Sequence, residues 1–132
     1  MRWLSTALLL PLGACSPEAA KPPAERLLYV GEGRDRICVA GQRGGLIIYG
    51  DANANCSARG QVERSAGRLV LRPDGDPDCR IEARLDGDRL TLFARGSACA
   101  YYCGPGADYG GKALTKNASA SPAVDFAGDP LC

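Results

Sequence analysis

The residues in this chain most clearly placed for chemistry are its seven cysteines. Cys15 stands alone at the end of an apolar run, and Cys38, Cys56, Cys79, Cys99, Cys103 and Cys132 are spread over the remaining length of the chain. A thiol can serve as nucleophile, metal ligand, acyl acceptor or half of a disulfide, and its neighbours decide which. The chain has no histidine. That removes Ser-His-Asp and Cys-His catalysis, imidazole metal sites and histidine-based pH switching. Cys99-Ala-Tyr-Tyr-Cys103 has one residue too many for a thioredoxin-type redox pair, and no Lys or Arg adjoins it to lower a thiolate pKa. Copper or zinc storage fails on ligands as well, since the single methionine is Met1. Three disulfides among the last six cysteines are the expectation, with no metal and no cofactor.

Fifteen Asp and Glu side chains are available for acid–base work. Asp74-Gly-Asp76-Pro-Asp78 resembles the opening of a calcium loop, but the positions that need Gly and Glu hold Cys79 and Leu85. A polar hairpin turn explains that stretch better, and the related Asp51, Asn53 and Asn55 retain a single carboxylate. The other acids sit at turns or alternate with arginines, as on solvated faces. No catalytic residue is expected, and the alternative is a periplasmic enzyme working with carboxylates.

These side chains must be positioned by a folded domain that the N-terminal segment delivers. Arg2 precedes an apolar run from Trp3 to Leu12, about half the length needed to span a bilayer. It fits the apolar core of an export signal. Leu12-Gly13-Ala14-Cys15 then resembles the lipobox of bacterial lipoproteins. The resemblance implies that residues 1–14 are a signal peptide and that Cys15 is acylated, palmitate included, as the mature N-terminus. It also implies that Ser16 directs the protein to the outer membrane, facing the periplasm. Cleavage removes Arg2 and no acid, so the mature chain has no net charge. Attachment then rests on acyl chains rather than on charge. A neutral domain is also a poor match for a nucleic-acid backbone. Residues 15–25 carry Pro17, Pro22 and Pro23 and read as an extended tether.

From residue 26 to 132 the sequence consists of short apolar runs between turn residues, which predicts a single all-β domain. Candidate strands are Leu27–Val30, Ile37–Val39, Leu46–Tyr49, Gln61–Glu63, Leu69–Leu71, Arg80–Leu85 and Leu90–Phe93. Cys79, Ile81, Ala83 and Leu85 alternate with Arg80, Glu82 and Arg84, the pattern of a strand with one wet face. Asp86-Gly87 reads as the central pair of a tight hairpin. Gly44, Gly67 and Gly87 each precede an apolar strand and are followed at one common spacing by Cys56, Cys79 and Cys99. The repeat suggests a meander closing into a small antiparallel barrel or sandwich, stapled by disulfides.

If Cys56 and Cys79 both begin return strands, they lie about 9.5 Å apart, beyond the roughly 7 Å a disulfide allows. Pairing of Cys79 with Cys99 or Cys103 is preferred, and the rest stays open. Cys99 to Gly111 holds Tyr101, Tyr102 and Tyr109 among four glycines. Rigid aromatics beside a staple suit a binding loop, and the competing reading is a pinned corner whose rings lid the core. The functional expectation is a non-catalytic envelope lipoprotein that binds an envelope protein or wall component, or supports the envelope. In size, location and architecture it is similar to the small lipidated barrels of the lysozyme-inhibitor type, with no motif of theirs transferred.

Overall fold

The computed structural model describes residues 13–16 and 25–132. The apolar run Trp3–Leu12 and tether residues 17–24 lie outside the described residues. The domain is an antiparallel meander of eight strands: β1 (Arg26–Val30), β2 (Arg36–Ala40), β3 (Arg43–Tyr49), β4 (Asn55–Ser65), β5 (Arg68–Pro73), β6 (Ile81–Asp86), β7 (Arg89–Leu92) and β8 (Ala113–Lys116). Each strand pairs with the next, and β8 returns to β1 through Tyr29↔Lys116 and Val30↔Thr115. The result is a closed barrel, which leaves no long unpaired edge. Of the two architectures expected, the barrel is the one formed.

Period-two alternation builds its interior. Leu27 and Tyr29, Ile37 and Val39, Leu46 and Ile48, Ala58 and Val62, Leu69 and Leu71, Ile81 and Ala83, Leu90 and Leu92, and Leu114 all point inward and are buried in one core cluster. Eight strands make a barrel whose interior is just wide enough to be filled by side chains or to hold one small ligand. Here it is filled. The void between Leu46, Val62, Leu71 and Ile81 measures about 10 Å3, no more than one water needs.

All seven expected strands are present, each with bounds that differ by at least one residue, β3 starting at Arg43 rather than Leu46 and β5 ending at Pro73 rather than Leu71, and an eighth joins them without forewarning. β4 runs from Asn55 to Ser65, far beyond Gln61–Glu63, because polar Ser57, Arg59 and Gln61 face solvent while Cys56, Ala58 and Val62 face the core. β6 begins at Ile81 rather than Arg80 and extends to Asp86. β7 ends at Leu92, leaving Phe93 outside it. β8 carries only one buried apolar residue, Leu114, too weak a pattern to read as a strand. The β6–β7 turn also shifts by one residue. Asp86 pairs with Arg89, so the central residues are Gly87 and Asp88, and only Gly87 has positive φ (57°). A hairpin with glycine first needs left-handed backbone at that one position.

A second, smaller cluster lies outside the barrel. After β8 the chain folds back as a strap, placing Ala123 and Leu131 over Ile47 and Cys38 on the outer face of β2 and β3. Cys132 bonds Cys38 and fixes the strap's end. The inner bridges are Cys56–Cys103 and Cys79–Cys99, which resolves the preferred pairing of Cys79 in favour of Cys99. Cys15 takes part in no disulfide.

Candidate functional site: the tyrosine-bearing lid

The β7–β8 connection, residues 93–112, closes one mouth of the barrel. Its first part is a 3-10 turn over Ser97–Tyr102. The inner end of that turn is anchored by Cys99, bonded to Cys79 ahead of β6, and its exit by Cys103, bonded to Cys56 near the start of β4. Cys103 also forms a β-bridge with Cys56, and the Gly104 N–H donates to the Asn55 carbonyl at 2.9 Å. Pro105-Gly106 then reverses the chain, with the Ala107 N–H donating to the Gly104 carbonyl at 3.1 Å. This reversal rests against the end of β3 at Gly50, where a Cβ would lie 2.2 Å from the Gly106 carbonyl oxygen. Ala107 and Tyr109 come next and insert into the core, Tyr109 being 1% exposed.

The three sequence-predicted tyrosines are therefore separated into three roles. Tyr101 is 88% exposed. Tyr102 packs against the core's edge and donates its hydroxyl to Asp76 Oδ2 at 2.9 Å. Tyr109 is a core residue, which corrects its place in a binding surface: an apolar ring after a sharp reversal fills the barrel mouth. Tyr101 and Tyr102 differ in exposure as expected of neighbours, though on a 3-10 turn rather than an extended chain. Their rings meet edge to face with centroids 5.3 Å apart.

Asp76 joins the lid to the β5–β6 turn. Its Oδ1 accepts the N–H groups of Asp78 (3.0 Å) and Cys79 (3.2 Å), and its Oδ2 accepts the Tyr102 hydroxyl. The Tyr102 hydroxyl, then the Asp78 N–H, hold this carboxyl below the usual range. Burial and the Asp76 carboxylate push the Tyr102 phenol up to about 12. Asp74 is drawn outward instead, into a two-point pair with Arg43. The stretch that resembled a calcium loop is thus a turn in which two of the three acids, Asp74 and Asp76, are already engaged. Among the described residues no three His, Cys, Asp or Glu side chains come together as a metal site.

Sequence reading missed Asp35. It is the single buried charged residue among those described, and its Oδ1 accepts the Tyr49 N–H at 2.8 Å. Burial raises its pKa against the lowering effect of that hydrogen bond. Its position in the β1–β2 turn, amid exposed Glu32 and Arg34, gave no sign that it would be buried.

The arrangement defines a class: a filled eight-stranded up-and-down barrel with a disulfide-pinned lid that presents one exposed aromatic ring. Comparison with protein-family models, curated proteins and solved structures finds no match for this chain.

Proposed function

We propose that the protein is a non-catalytic binding module of the bacterial cell envelope. In this reading acyl chains on Cys15 hold it at the outer membrane facing the periplasm, and Tyr101 anchors a recognition surface for an envelope protein or wall component. The observation that carries the proposal is an aromatic ring 88% exposed on a segment held by two disulfides. Such a ring loses little conformational freedom on binding, so most of its buried area becomes affinity. A filled interior favours an external site over an enclosed ligand. The lone buried carboxylate is engaged by a backbone N–H, which counts against a carboxylate-dependent enzyme needing an opposed pair. Cys15 is exposed and outside any disulfide, as acylation requires.

The second reading is a protein-binding barrel of the lysozyme-inhibitor type, favoured by a small, disulfide-stapled barrel. A lysozyme is accordingly the first partner to try. The direct test places a photo-crosslinking phenylalanine analogue at position 101 of the full-length protein in its own envelope. A discrete adduct that is absent with the analogue at Asp88 supports the proposal. Irradiation that yields no adduct at position 101 refutes it.

A further inference from the structure

Away from the lid, one groove gathers two guanidiniums that form no ion pair with the described residues. The strap turn at Ser121–Gly128 and the neighbouring parts of β2 and β3 enclose an open groove of about 390 Å3. The Arg34 guanidinium lies 4.0 Å over the ring of Tyr49 on one wall, and Arg36 lines the same groove. The opposite lip carries Phe126, 62% exposed, and Val124, 40% exposed. Half of the exposed large apolar side chains among the described residues thus belong to this one turn.

Among the described residues both guanidiniums have only neutral hydrogen-bond partners. Arg34 donates to the Asn53 side-chain carbonyl, and Arg36 donates to the carbonyls of Gly33 (3.2 Å) and Asp35 (2.9 Å). Arg34 and Arg36 form no ion pair with the described residues, a property they share with Arg26, Arg64, Arg84, Arg89 and Arg95; what sets them apart is that both line one groove beside exposed apolar side chains. The carboxylate in the groove wall is already occupied: Asp125 pairs with Arg59 and accepts the Asp129 N–H at 2.9 Å. Asp35 lies buried below, facing the Tyr49 N–H. What the groove offers is the guanidiniums of Arg34 and Arg36, each with one nitrogen already hydrogen-bonded and the others without a partner among the described residues, beside an exposed phenyl ring. A planar carboxylate fits such a fork through two parallel hydrogen bonds.

We propose that this groove binds an organic carboxylate that carries an apolar group, the carboxylate held by Arg34 and Arg36 and the apolar group by Phe126 and Val124. The site is independent of Tyr101 and of Cys15, so it stands or falls separately from the envelope-module reading.

The test is an NMR titration of the full chain in lipid nanodiscs, with N-acetylphenylalanine as probe. N-acetylphenylalaninamide, acetate and inorganic phosphate serve as comparisons. The expected result is saturable shifts at Phe126, Val124 and Arg34, with dissociation in roughly the millimolar range. The amide lacks the charge and acetate lacks the ring, so each binds about tenfold more weakly or worse. Arg34→Gln brings the acid down to the level of the amide and leaves the amide unchanged, while Phe126→Ala brings the acid down to the level of acetate. Equal binding of acid and amide overturns the proposal, as does phosphate binding as tight as the acid, or shifts that centre on Tyr101. The acid–amide comparison is made on the unaltered protein, so a variant that fails to fold does not remove the test.

Discussion

Replacing Tyr109 and Tyr101 by alanine, one at a time, separates core from surface in the lid. Tyr109 is 1% exposed and packs within the main core beside Ala107. Truncating a buried aromatic removes its transfer free energy and leaves a cavity, a combined cost of about 3–5 kcal/mol. The two disulfides that pin the lid limit its collapse into the space left behind, which favours the upper part of that range. Tyr101, at 88% exposed, has little burial to lose, and its change should fall within about 0.5 kcal/mol of zero. Urea denaturation of the oxidised protein measures both. With a slope of about 2 kcal/mol per molar urea, Tyr109→Ala lowers the midpoint by about 1.5–2.5 M, whereas Tyr101→Ala moves it by about 0.25 M at most. A large loss at Tyr101, or a negligible one at Tyr109, would refute the division of the lid into a core plug and an exposed ring.

The same geometry sets four further outcomes. Mass spectrometry without reductant should show Cys38–Cys132, Cys56–Cys103 and Cys79–Cys99, and no alkylated thiol in residues 26–132. Removing the long-range Cys38–Cys132 bridge as a double alanine variant should cost about 2–5 kcal/mol, read by the same urea assay. Asp35→Asn keeps an acceptor for the Tyr49 N–H and removes a desolvated charge. Because burial raises the folded pKa of Asp35 above 3.8, the wild type loses part of its stability as pH rises through that folded value. The asparagine variant should lack this loss, while Asp35→Ala, which leaves the N–H unpaired, should cost about 1–3 kcal/mol. Tyr102 has a folded pKa raised from 10.0 to about 12. Its contribution is fully present below pH 10 and fades as pH rises towards 12, so Tyr102→Phe should flatten the alkaline limb of the stability profile.

The barrel was readable because its strands are half-buried and alternate with period two. Cys79, Ile81, Ala83 and Leu85 show this most clearly, and the turn glycines separate one strand from the next. β8 escaped notice because four residues with one core contact, Leu114, carry too little of that period. The inner pairing Cys79–Cys99 was within reach of spacing arguments. Cys38–Cys132 was not, since it depends on a strap crossing the outside of the barrel, a tertiary choice with no local signature. The tyrosine segment was visible as composition, but the roles of its rings were not. Only the closure of the barrel mouth distinguishes Tyr109, which plugs it, from Tyr101, which projects beyond it. The groove at Arg34 and Phe126 joins residues more than ninety positions apart, and no reading of neighbours assembles it.

Site-specific photo-crosslinking from position 101 in the native envelope tests the central claim most directly, with position 109 as the internal control. The account predicts a discrete adduct from position 101 and none from position 109, whose side chain lies inside the barrel mouth. It also predicts that the adduct persists when Arg34 is changed to glutamine. A protein that yields no adduct from position 101, or the same adducts from both positions, contradicts the assignment of Tyr101 as the anchor of a binding surface.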